Sequence, residues 1–173
     1  MKKRILGMDE NGLGPLMGPL VITGVLLKHG GKERWFDDVS DSKVFFSRNT
    51  DDFSRLEETA TALFYLCYKK EPLSPLEILL SFCRRDECLS GLNICTGNIP
   101  QEFIWSDGKK RKKRCELLFK WMKKEEIEIE NIRSIAICPR RINMSIEKGN
   151  NKFFLDLSGF CTLVKGIPDK NGL

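Results

Sequence analysis

Apolar residues fall along the chain in short runs broken by glycine, proline and charge, and the runs have two kinds of spacing. Arg4 to Met8 is a brief run ending at Asp9, and Leu20 to Leu27 is rich in Val, Ile and Leu, so both predict strands. The first is expected to be buried, with Asp9 and Glu10 at its end. Between them, Gly12, Gly14, Pro15, Gly18 and Pro19 forbid a regular helix and suit a tight connection. The segment from Asp37 to Arg48 is polar and turn-like.

Helical spacing follows. Phe53, Leu56, Ala60, Leu63 and Phe64 predict a helix over Asp51 to Tyr68. Ser74-Pro75 signals the start of another, through Leu76, Ile78, Leu79, Leu80 and Phe82. Cys88 to Gln101 reads as a loop. The basic run Lys109 to Arg114 precedes an amphipathic helix through Leu117, Leu118, Trp121 and Met122, which the acidic stretch Glu125 to Glu130 ends. Ile132 to Cys138 alternates as a strand stopped by Pro139, and a last helix is expected from Asn151 to about Val164.

A 173-residue chain with 41% hydrophobic and 31% charged residues and eleven Phe suits one folded domain over residues 1–173. A formal charge of +5 favours a polyanionic partner only mildly. Seven cysteines without C-x-x-C spacing indicate neither a disulfide framework nor a zinc ribbon, and read as buried thiols of a reducing cytoplasm. No run approaches the roughly 18 apolar residues of a membrane helix, and nothing indicates a protein partner. The single histidine, His29, argues against Ser-His triads and histidine-rich metal sites. For an enzyme, this favours carboxylates with metal ions as the chemistry.

An Asp-Glu pair opening a turn is, on its own, a solvated pair. Here it begins DENGLGPLMGPLVITGVLL, which resembles the D-E-A-G-R-G-P signature of type 2 ribonucleases H, with small residues, G-P and a hydrophobic strand behind it. Asp9, Glu10, Gly12, Gly14, Pro15, Gly18 and Pro19 match in register. Asp41, Ser42 and Lys43 match the family's D-S-K element, a tripeptide otherwise read as a turn or helix cap. Pro139, Asn143 and EKGNNKFF give a diffuse later echo.

The resemblance implies an α/β ribonuclease H-like fold, a mixed sheet flanked by helices, incomplete at the C-terminus. It implies hydrolysis of the RNA strand of RNA/DNA hybrids, or of a ribonucleotide embedded in duplex DNA, with Mg2+ or Mn2+ in a two-metal mechanism. Asp9 would bind both ions and Glu10 one. The backbone of Gly12, Leu13 and Gly14 would approach a 2′-hydroxyl, and Lys43 would lie near a phosphate or be a plain surface lysine. Asn11 and Leu13 stand where the family has Ala and Arg, which removes a cation from beside the scissile phosphate. The third and fourth family aspartates belong after the last helix, where Asp169 stands as a candidate third or as a turn residue. Asp156, inside that helix, is expected to be solvated. The alternatives are a catalytically impaired nucleic-acid-binding remnant or a truncated reading frame. The basic run would track a phosphate backbone, or be a solvated loop or frayed helix start.

Overall fold

A computed structural model describes residues 2–11, 19–30, 50–83 and 101–166. They form an α/β arrangement in which β1 (Lys3–Asn11), β2 (Leu20–His29) and β3 (Ile127–Ile137) make a sheet in the order β1-β2-β3. The described strands are antiparallel rather than mixed. A parallel pairing occurs as an isolated bridge between Cys83 and Ser134. Five helices are described: α1 (Thr50–Tyr68), α2 (Pro75–Phe82), α3 (Gly108–Lys124), α4 (Pro139–Glu147) and α5 (Lys152–Gly166).

Helix starts follow local chemistry. Ser74 Oγ accepts from Glu77 N at 3.2 Å while Glu77 Oε2 accepts from Leu73 N at 2.6 Å, a reciprocal cap on α2. Asp107 accepts from Lys110 N at 2.8 Å and Asn151 from Phe154 N at 2.8 Å, capping α3 and α5. Pro139 does end the β3 run, as expected, but it also occupies the first position of α4, where its missing N–H costs nothing. The sequence pattern had no place for α4. The acidic stretch after α3 likewise does more than end a helix, because β3 already begins at Ile127.

The chain divides into two compact units. One draws on Met1–Ile5, Leu27–Ile78 and Pro100–Glu130, the other on Leu6–Leu26, Leu79–Ile99 and Asn131–Leu173. In the first, Ala62 of α1 meets Leu118 and Met122 of α3, with Trp121, Ile127 and Ile129 packed against them. The buried stripe of α1 is largely polar and includes Ser54, Glu57, Glu58 and Thr61, while Leu56, expected in the core, is 45% exposed. The reason is that Glu57 accepts from the backbone N–H groups of Ile104, Trp105 and Ser106, and Glu58 pairs with the buried Arg114 at 3.4 Å.

In the second unit, Leu20, Ile22 and Gly24 of β2 face α5. Leu20, Ile22, Ile137, Ile142 and Leu163 form the buried cluster there, with Met8, Leu155 and Phe160 against it. The other face of β2 and β3 is covered by Leu79 and Cys83, which meet Val21 and Ala136. β1 is not the buried strand expected, since it lies at one side of the described sheet and most of its residues are exposed. Among the described cysteines, all free, Cys83 and Cys138 are buried as expected and Cys161 is exposed.

Candidate functional site

Alternation along β1 puts Leu6, Met8 and Glu10 on one face and Gly7, Asp9 and Asn11 on the other. The first face lies toward α5. A Cβ added at Gly24 would touch Met8 at 3.4 Å and both Leu163 and Leu6 at 3.7 Å, so β1, β2 and α5 meet around that glycine. Glu10, two residues beyond Met8, extends this face to the strand end and is half-buried. Asp9 is exposed, and its Oδ1 accepts the backbone N–H of Glu10 at 2.9 Å.

The stripe of α5 turned inward is Asp156, Gly159 and Leu163. Gly159 is required by closeness, because a Cβ there would land on Cδ1 of the fully buried Ile22. This contact draws the helix against β2 and brings Asp156, one turn earlier, into the core margin. Asp156 is 6% exposed, so the expectation of a solvated residue is corrected. Its Oδ1 is buried and meets no hydrogen-bond donor among the described residues. Burial pushes the Asp156 carboxyl above the ordinary carboxylate range, and the negative charges of Glu10 and Asp9 push it the same way.

The negative charges of Asp9 and Glu10 at the end of β1 thus bear on the Asp156 carboxyl. Carboxylate oxygens are the donor type that Mg2+ or Mn2+ prefers. Among the described residues, however, no three Asp, Glu, His or Cys side chains are gathered closely enough to hold one ion. Gly12, Leu13, Gly14, Asp41, Ser42, Lys43 and Asp169 lie outside the described residues. Asp156 was hidden from sequence reasoning because Phe153, Phe154 and Leu157 around it suggest the apolar face, whereas all three are exposed. The available signal was the small residue Gly159 three positions on, followed by Leu163.

The basic run is helical, with Lys109 to Arg114 forming the first turns of α3. Lys109, Lys110, Lys112 and Lys113 are exposed, whereas Arg114 is buried. Arg111 donates to the Ser106 carbonyl at 2.6 Å and lies 4.3 Å from the Phe103 ring centroid. No protein-family model, curated protein or solved structure matches the chain. Among the described residues no helix is long and apolar enough to cross a membrane.

Proposed function

We propose that this chain is a metal-dependent endoribonuclease with a ribonuclease H-like fold, acting on the RNA strand of RNA/DNA hybrids or on a ribonucleotide within duplex DNA. Two observations support the reading: β1 ends in the Asp9-Glu10 pair of the glycine-proline motif, and the charges of that pair bear on Asp156, a buried carboxyl whose Oδ1 has no hydrogen-bond partner among the described residues. Such an oxygen among like charges is costly unless a proton or a cation relieves it. Asp9 and Glu10 would hold Mg2+ or Mn2+, with Asp156 completing the negative field behind them. Bound there, divalent ions supply an activated water and stabilise the leaving oxygen.

The chain's own residues would present the carboxylates, and, as the family resemblance implies, the backbone of Gly12, Leu13 and Gly14 would approach the 2′-hydroxyl. The free thiols fit work in a reducing cytoplasm. Cutting of a hybrid and of DNA carrying one ribonucleotide, but not of all-DNA duplex, is the expected outcome with Mg2+ or Mn2+. Leu13 in place of arginine, and carboxylates not gathered on one point, favour a second reading as a binding remnant. Hybrid binding without metal-dependent cutting would establish that reading instead.

A further inference from the structure

The first unit holds a groove of about 520 Å3 between the end of α1 and the start of α3. Two aromatic rings stand on its walls without being buried, since Tyr65 is 39% and Phe119 51% exposed. Its cations are Lys69, which follows α1 in a left-handed conformation, and Arg111 and Lys112 of the basic run. Around the half-buried Cys115 the surroundings differ. Burial pushes that thiol up, and the carboxylates of Glu116 and Glu71 push it further against the opposing effect of Lys69.

We propose that this groove binds an unpaired nucleotide of a single nucleic-acid strand, with the base against Tyr65 and Phe119 and the neighbouring phosphates on Lys109 and Lys112. Two observations fix the class of occupant. Four exposed lysines within the first turns of α3 match a repeating anion such as a phosphate backbone. Accessible aromatic rings beside them give any base a face to stack on. Polarity sets the orientation, because Glu71 and Glu116 would repel a phosphate lodged near Cys115, whereas an uncharged ring is accepted there. The helix N-terminus does not compete for phosphate, as Asp107 already caps it. This inference rests on the α1–α3 groove and not on the Asp9 carboxylates.

The test is fluorescence anisotropy of a labelled short oligothymidylate with the full chain in EDTA, beside Tyr65→Ala, Phe119→Ala, Phe119→Trp and Lys112→Glu. Both alanine variants are expected to weaken single-strand binding about tenfold, in line with the loss of one stacked base. Phe119→Trp retains binding. Lys112→Glu weakens it and flattens its dependence on salt. Circular dichroism confirms folding, and these half-exposed positions tolerate truncation better than core ones. Asp9→Asn is expected to bind the oligonucleotide like the parent, so a failed nuclease assay leaves this proposal standing. Unchanged affinity in both alanine variants overturns it, as does equal displacement of the strand by polyglutamate, which would mark the groove as a site for acidic peptide.

Discussion

Asp156 and Glu130 are acids displaced in opposite directions, and the pH dependence of each follows from its surroundings. Asp156 is raised by burial and by Glu10 and Asp9. A raised acid binds its proton more tightly in the folded state, so its penalty is absent in acid and grows as pH climbs from the unfolded value through the folded one. Asp156→Asn should therefore raise the thermal midpoint at neutral pH and leave it unchanged in strong acid. Mn2+ should raise the midpoint of the parent more than that of the variant. Glu130 is lowered, first by its hydrogen bond from Lys28 at 2.7 Å and then by Arg4 at 2.6 Å. Its contribution is present above the unfolded value and lost as pH falls through the folded one. Glu130→Gln should lower the midpoint at neutral pH, with the gap closing in acid. Thermal melts of the variants across pH check both signs.

At the scale of elements, α5 owes its seat to Gly159. Gly159→Ala forces a methyl group onto Ile22 and should cost about 1–3 kcal/mol in urea unfolding, with Ile22→Val in the same chain recovering part of the loss. In the other unit, Glu57 joins α1 to residues 104–106 through backbone N–H groups at 2.8 to 3.1 Å. Glu57→Ala should cost about 1–3 kcal/mol, because the buried Ser106 N–H and two part-buried N–H groups lose a charged acceptor. These contacts show where a hydrophobicity pattern stops being informative. The apolar pattern located α1, α2, α5, the later turns of α3 and all three strands, β1 and β2 as short apolar runs and β3 by alternation from Ile132 although it begins at Ile127. It could not see that α1 buries Glu57 and Glu58 while exposing Leu56, because those burials are satisfied by segments distant in sequence. α4 was lost for another reason, as a proline after a strand reads equally as a stop and as a helix start. The pair Asp9-Glu10 was legible as a motif, whereas Asp156 depends on the tertiary approach that Gly159 allows.

For the molecule as a whole, an excess of five positive charges and the exposed lysines of α3 favour polyanionic ligands, and the proposed nuclease would draw its chemistry from the carboxylates at the end of β1. Hybrid affinity should then fall steeply as salt rises. Under the proposed function those carboxylates cut next to a ribonucleotide. The most direct measurement is the Mn2+-dependent cleavage rate on duplex DNA containing one ribonucleotide, for the parent, Asp9→Asn and Asp156→Asn. Cutting by the parent is expected, with a fall of at least about a hundredfold in Asp9→Asn, equivalent to roughly 3 kcal/mol of barrier, and a clear reduction in Asp156→Asn. A parent that binds the duplex but leaves it intact, or an Asp9→Asn variant that cuts as fast as the parent, would contradict the proposed function.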